Sequence, residues 1–431
     1  MSITDTCRNV KSAAIKLAAC TTDLKNGALL RIADELLNHK EEIFRANQKD
    51  LKGSEAENLP LPLLKRLKFD ESKLNDVISG IQSLVKLEDP VGKTLLSTQM
   101  DEGLELYRVT CPIGAIGIIF ESRPDALVQI STLCLKSGNG VLLKGGSEAI
   151  ETNRILAGII VSASEAAGIP KGWCSLLETR SDINELLGQD KYVDLIIPRG
   201  SNEFVRYIMD NTNIPVMGHA DGICHCYVDS SADLEMALRI AVDSKIQYVA
   251  VCNAMETLLV HKDIAEAFLP LLKKAADEKK VELFGCSETA SVIAVKPASD
   301  DAWKTEYLDY KLSVKVVDSL EEAIDHINTY GSGHTDAIVT SDKQNAVHFL
   351  SLVDSGNVFW NCSTRFSDGF KYGLGAEVGI STGKLHARGP VGLEGLVIYK
   401  YILLGNGQIA ADYAEKRSQF THAKLDRNLP L

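Results

Sequence analysis

Long hydrophobic runs are missing from this sequence. The longest uncharged apolar stretch, around residues 111–120, falls well short of the roughly 20 residues that a membrane span needs. Residues 1–6 run straight into a polar helical pattern rather than a secretory leader. Both features lead us to expect a cytoplasmic protein with no membrane partner. Basic charge is also scarce, with 46 Lys and Arg against 58 Asp and Glu for a formal charge of −12. No basic stripe interleaved with aromatics is present to meet phosphates, so nucleic acid is not an expected partner. Short pairs such as Lys273-Lys274 and Lys279-Lys280 read as solvated helix faces.

Several motifs are missing as well. The ten cysteines contain no CxxC pair, and in a chain of this length they do not form a disulfide framework. Cys224, His225 and Cys226, with His219 upstream, resemble metal ligands in type. They lack a second pair to complete a tetrahedral site, and successive strand residues point to opposite faces, so no metal is expected. Gly92-Lys93-Thr94 mimics the end of a phosphate-binding loop, but Leu87 stands where its first glycine belongs. No GxGxxG opens a helix after a strand. Kinase, GTPase and ordinary dinucleotide-fold readings lose their support.

What is present is a chain of 431 residues, 45% hydrophobic, long enough for two or three domains with their own cores. Apolar residues recur at helical spacing through the first hundred positions, as in Val10, Ala14, Leu17 and Ala18, or Leu29, Ile32, Ala33, Leu36 and Leu37. Asp70 is a candidate N-cap for a further helix. From residue 104 strands alternate with helices: strands are predicted at 104–109, 113–120, 141–143, 173–177 and 193–197, with helices at 125–135, 148–167 and 184–187. A second series follows, with strands at 224–228, 257–260, 291–295, 314–317 and 337–339, and helices at 230–243, 264–276 and 320–328. Ser230 with Asp233 and Ser319 with Glu322 resemble capping boxes. This alternation predicts an α/β fold of two tandem parallel sheets, with ligands at the carboxyl ends of strands. A terminal apolar strand at 396–404 needs a pairing partner, expected from another subunit.

Polar residues gather where strands end: Glu121, Ser122 and Arg123; Lys144, Gly145 and Gly146; Arg199, Gly200 and Ser201. Such Gly-rich loops let backbone amides meet a phosphate, although each alone is more often a simple turn. Cys252 sits between two apolar runs, where a cysteine is usually a small core residue. A nucleophilic role requires a thiol activated by its surroundings, which the residues alone do not establish.

The segments CPIGAIGIIFESRPD (111–125), VLLKGGSEA (141–149), DLIIPRGS (194–201), PVMGHADGICH (215–225), VCNAMETLLVH (251–261), YGSGHTDAIVT (330–340), FWNCSTRFSDGF (359–370) and GLGAEVGISTGKLHARGPVGLEGL (373–396) closely resemble the gamma-glutamyl phosphate reductases. That family is a branch of the aldehyde dehydrogenase superfamily, also found as the C-terminal half of pyrroline-5-carboxylate synthase. The resemblance spans about residues 10–410, and its HTD, FWN and GLGAEVGIS segments are particular to this branch.

The resemblance implies an aldehyde dehydrogenase-like fold: an NADP-binding domain (1–97 and 110–225), a catalytic domain (226–385), and an oligomerisation arm with C-terminal tail (98–109 and 386–431). A homo-oligomer is implied too. Cys252 matches the catalytic nucleophile, Lys144 the lysine at the adenosine ribose, Gly200 and Ser201 the helix start at the pyrophosphate, and Glu306 the carboxylate at the nicotinamide ribose. Ser122 falls where relatives place an oxyanion-binding Asn, so the main-chain amides of Cys252 and Asn253 are the expected oxyanion donors. Ser147 replaces a Glu common in NAD-preferring relatives; without that carboxylate a 2′-phosphate meets less repulsion, and NADPH is expected over NADH.

Residues 217–221, which in hydrolytic relatives hold a Glu base, contain none. Hydrolysis of a thioester needs such a base; reduction does not. The implied reaction is NADPH-dependent reduction of L-glutamyl 5-phosphate to L-glutamate 5-semialdehyde and phosphate in proline biosynthesis, through a Cys252 thioester. Arg123 and Arg365 are expected to pair with substrate anions, with His334 and Asp336 at its polar ends; Arg365 alternatively bridges Asp368. The acyl phosphate is expected from a separate glutamate 5-kinase, a potential partner. The competing readings are a hydrolytic NAD-dependent aldehyde dehydrogenase and an inactive scaffold for that kinase.

Overall fold

The structure, a computed structural model, describes residues 2–121, 123–179, 181–219, 221–375 and 377–430. Five helices open the chain: Ile3–Leu17, Thr22–Asn38, Lys40–Ala56, Leu61–Leu67 and Glu71–Lys86. Their apolar stripes face inward, with Val10, Ala14, Leu17, Leu29, Ile32 and Leu36 buried, while Leu37 is exposed. Asp70 caps the fifth helix by accepting the Lys73 amide at 3.1 Å.

The strands are β1 (Thr94–Asp101), β2 (Leu104–Pro112), β3 (Ala115–Phe120), β4 (Gly140–Lys144), β5 (Cys174–Leu177), β6 (Leu195–Arg199), β7 (Cys224–Val228), β8 (Met255–His261) and β9 (Glu282–Gly285). After them come β10 (Lys296–Pro297), β11 (Lys311–Val317), β12 (Thr335–Val339), β13 (Asn357–Trp360), β14 (Gly379–Ser381), β15 (Gly389–Val391), β16 (Val397–Leu404) and β17 (Ala423–Lys424). They form a parallel sheet of order β5-β4-β3-β6 and a parallel sheet of order β10-β9-β11-β8-β7-β12-β13. An antiparallel sheet, β16-β2-β1-β17, and the β14-β15 pair complete the set.

All six residues of β3 are buried, as a central parallel strand covered on both faces requires. Each fully buried Leu, Ile or Val side chain here contributes about 1.5–3 kcal/mol. Trp173, also fully buried, keeps its indole N–H satisfied on Ser164 Oγ at 2.8 Å.

Several sequence expectations need correction. Residues 291–295 are not a strand: Ser287–Val292 is a short helix, and the strands on either side are β9 and β10. Six residues are too few for helical and strand periods to separate. The helix expected from Ser230 begins at Leu234, because Asp233 is itself the N-cap and accepts the Met236 amide at 2.7 Å. At Ser319 the first half of the box holds, with the Glu322 amide donating to Ser319 Oγ; the Glu322 carboxylate instead accepts from Asp318 N–H at 2.7 Å. The terminal strand β16 is paired within the chain, lying along β2 from Val397↔Pro112 to Leu404↔Glu105. Its other edge is free among the described residues, and Ile398, Tyr399, Tyr401 and Leu403 are exposed.

Candidate active site

The two parallel sheets meet at unlike ends. Glu121, Lys144 and Gly200 lie at or just beyond the carboxyl ends of β3, β4 and β6, as expected for such a sheet. Cys252, Cys224 and His334 instead lie at or just before the amino ends of β8, β7 and β12. The carboxyl-end rule therefore holds for the first sheet and fails for the second. Contacts across this junction bring Gly222 onto Cys252 and Asn202 onto Glu306.

Cys252 occupies a tight turn leading into β8, closed by an Ala254 N–H to Val251 C=O bond of 3.1 Å. The preceding residues 249–251 are bends rather than the strand their apolar character suggests. The Cys252 carbonyl accepts the Cys224 thiol at 3.1 Å. Asn253 anchors the turn on the far side: its Nδ2 donates to the Ser367 carbonyl at 2.6 Å and its carbonyl accepts Thr364 Oγ1 at 2.8 Å. Among the described residues no acceptor is bound to the main-chain amides of Cys252 or Asn253. Both are open to a developing oxyanion.

Two imidazoles flank the sulfur. One nitrogen of His219, one of His334 and Cys252 Sγ all lie within 4.8 Å of one another, and the two rings meet edge to face at 4.8 Å. His219 is fixed through Nδ1 on the Ile380 carbonyl at 2.8 Å. His334 is fully buried, with Nδ1 2.8 Å from Thr335 Oγ1 and Nε2 lacking any hydrogen-bond partner. Burial pushes the His219 pKa below its ordinary value and the Ile380 bond only partly opposes it, so the ring is neutral at physiological pH.

The other expected residues divide into groups. Arg365 is near enough to Cys252 and Asp368 to feel their charges, but burial dominates and lowers its pKa. Its Nε donates to Gln247 Oε1 at 3.0 Å, and among the described residues no carboxylate lies within ion-pair distance, so the Asp368 bridge is not formed. Asp368 instead accepts the amides of Phe370 and Lys371. Arg123 stands near Arg199 and Arg66; burial first, and then those two positive charges, lower its pKa. Asp336 is fully buried and engaged inside the second sheet, accepting the His225 amide at 2.7 Å and the Ser355 hydroxyl. It is not brought to the sulfur with His334. Ser122 lies outside the described residues.

Of the residues expected at a cofactor, Gly200, Ser201 and Glu306 meet at the start of the helix Asn202–Asp210. Ser201, its N-cap, makes no side-chain capping bond, and the Ser201 amide donates to the Glu121 carboxylate. A Cβ on Gly200 would stand 2.9 Å from the Phe204 ring and 3.1 Å from the Glu121 carboxyl carbon. A carboxylate rests on an amide at this helix start, so the amide accepts an anionic oxygen, and a pyrophosphate bound here would take the place of the Glu121 carboxylate. Glu306 reaches the same helix and accepts from Asn202, which also donates to Asp221 at 3.3 Å. The loop carrying Glu306 is tied to β8 by Glu256, which accepts the Leu308 amide at 3.3 Å and pairs with buried Lys245 at 2.5 Å. Burial drives the Glu256 pKa up to about 7 against the pull of Lys245. Lys144 is buried at the end of β4 with Nζ 2.5 Å from the Gly145 carbonyl. Ser147 is exposed, but the neighbouring Glu148 carboxylate lies directly over Gly146, where a Cβ would be 2.1 Å from Oε1. A carboxylate is therefore present in this loop although position 147 has none.

The expected site residues did not include His219, Arg199 or Glu377, although Arg199 stands among the polar strand ends and His219 just before the Cys224 run. Glu377 accepts the Gly369 amide at 2.9 Å; burial raises its pKa, while that bond and the Arg199 charge oppose the rise. The clue was residues 217–221: the segment that in hydrolytic relatives holds a Glu base holds His219 in this chain.

The sequence model of the aldehyde dehydrogenase family matches residues 3–283 and 284–376. The chain is 71% identical over 431 residues to a gamma-glutamyl phosphate reductase of Acetivibrio thermocellus, covering 100% of both chains. It is 68% identical to that of Pelotomaculum thermopropionicum, covering 99% of each. The crystal structure of the Thermotoga maritima gamma-glutamyl phosphate reductase superposes with a TM-score of 0.93 at 38% identity, over 95% of this chain and 100% of that one. On the family match over nearly the whole chain and the identity to these reductases, the chain belongs to the aldehyde dehydrogenase family, within its gamma-glutamyl phosphate reductase branch.

Proposed function

We propose that this chain reduces L-glutamyl 5-phosphate to L-glutamate 5-semialdehyde and inorganic phosphate, a step of proline biosynthesis, using NADPH and a thioester on Cys252. The observation that carries the mechanism is the convergence of Cys252 Sγ with His219 and His334. A neutral imidazole nitrogen takes the thiol proton as sulfur attacks the acyl carbon. The open amides of Cys252 and Asn253 receive the oxyanion. Arg365 and Arg123 offer positive charge to the departing phosphate and the substrate carboxylate. When bound, the reduced nicotinamide supplies the hydride that takes the thioester to the aldehyde. The imidazolium then returns its proton to sulfur as the thiolate is expelled.

Gly200, Ser201, Asn202, Glu306 and Lys144 are the groups that would hold the cofactor. Ser147 adds no carboxylate of its own to the loop after Lys144, which supports NADPH over NADH, while the Glu148 carboxylate over Gly146 opposes it. The four-stranded sheet with the helices before it serves as the cofactor domain, and the seven-stranded sheet as the catalytic domain. The antiparallel sheet serves as an arm whose free β16 edge pairs with another copy of the chain. Among the described residues no helix is long and apolar enough to cross a membrane, which agrees with a cytoplasmic enzyme supplied by a separate glutamate 5-kinase.

The reaction is tested in reverse with glutamate 5-semialdehyde and NADP. NADPH is expected to appear only when inorganic phosphate is added; turnover without phosphate would reject the reductase reading.

A further inference from the structure

We propose that Cys252, His219 and His334 also form a binding site for Zn2+ or a similarly thiophilic divalent cation, with one coordination position left to solvent. One sulfur and two imidazole nitrogens, all within 4.8 Å of one another, make a borderline-soft N2S donor set. Zinc bonds of about 2.0–2.3 Å place tetrahedral donors some 3.3–3.7 Å apart, so side-chain adjustments of about an ångström close the set.

Both rings are already oriented as second-sphere partners orient metal ligands. His219 has Nδ1 on the Ile380 carbonyl and His334 has Nδ1 on Thr335 Oγ1, which leaves Nε2 as the ligand nitrogen of each ring. The His334 ring is fully buried, and its Nε2 is a buried polar atom with no partner, a costly state that coordination relieves. The carboxylates of Glu306 and Glu377 lie close enough to act on His219 and offset the cation's charge, against the positive charges of Arg199 near His219 and Arg365 near Cys252. The more metal-like run Cys224, His225 and Cys226 is not this site: all three are buried in β7, and His225 is committed to Asp336.

A metal held here caps the sulfur, so the site is a reversible block on the thiol. The direct test is Zn2+ binding to the full chain, by competition with a chromophoric chelator. One Zn2+ per chain is expected, with affinity reduced at least about tenfold in Cys252→Ser, His219→Gln and His334→Gln, since even outer partners of a metal ligand are worth that much. Co2+ is expected to give a thiolate-to-cobalt absorption band that survives Cys224→Ser and disappears in Cys252→Ser.

In the unmodified chain, Zn2+ is expected to slow alkylation of Cys252 by iodoacetamide, with a chelator restoring the rate. This last readout requires no variant to fold. It also counts modified sulfur rather than turnover, so it fails or succeeds independently of the catalytic role of Cys252. Binding unchanged in all three ligand variants, no thiolate band, or alkylation indifferent to Zn2+ would each overturn the proposal.

Discussion

A Cβ on Gly222 would lie 2.3 Å from the carbonyl oxygen of Cys252 and 2.4 Å from its Cα. The backbone approach that seats the Cys252 turn thus admits a Cβ only if the turn shifts. Its neighbour in the other direction, Asn253, is tied to Ser367, so the turn cannot yield freely. Gly222→Ala should fold with a stability loss of about 1–3 kcal/mol from overpacking. The displaced sulfur should lower kcat roughly 100-fold. Steady-state kinetics beside urea unfolding separates the two effects; an unchanged kcat would mean that this contact does not position Cys252.

His326 is 5% exposed and packs edge to face against His225, the residue that holds Asp336. Burial, with added repulsion from His225 and Lys315, pushes its pKa from 6.5 to about 3. Unfolding therefore takes up a proton between these values. The stabilisation is complete above the unfolded pKa and is lost as pH falls towards the folded one. Between pH 7 and pH 5 this single group should remove about 2 kcal/mol. His219, also lowered by burial, acts in the same direction. Urea midpoints at the two pH values should differ less in His326→Gln than in the parent; equal differences would contradict the burial argument.

Much of the fold was legible in the residues because burial was continuous. The strand at 224–228 is matched residue for residue by β7, whose five side chains are all buried. Short elements were not legible. β9 has four residues and β10 two, too few to display a period, and the apolar residues 248–251 line a turn. At the site, Cys252, Gly200 and Ser201 could be singled out because each sits in a local segment that resembles the family. The approach of His219 and His334 to the sulfur could not, since segments distant in the chain meet only on folding. Asp336 shares the HTD segment with His334, yet its carboxylate serves His225 and Ser355 instead.

The proposed preference for NADPH is expected to respond in opposite directions to changes at two adjacent side chains. Ser147→Glu adds a carboxylate where a 2′-phosphate is proposed to bind, and should lower kcat/KM for NADPH relative to NADH at least about tenfold. Glu148→Gln removes the carboxylate that now lies over Gly146, and should move the ratio towards NADPH. Kinetics with both cofactors checks the pair. A ratio that neither substitution moves would place the adenosine ribose elsewhere.

The central claim is that the glutamyl group is carried on one sulfur. Rapid acid quenching of enzyme mixed with freshly generated glutamyl phosphate, without NADPH, followed by peptide mass spectrometry, tests it directly. The account predicts a glutamyl adduct on the peptide containing Cys252, absent from Cys252→Ser and discharged when NADPH is added before quenching. An adduct on another residue, or turnover that proceeds in Cys252→Ser, would contradict it.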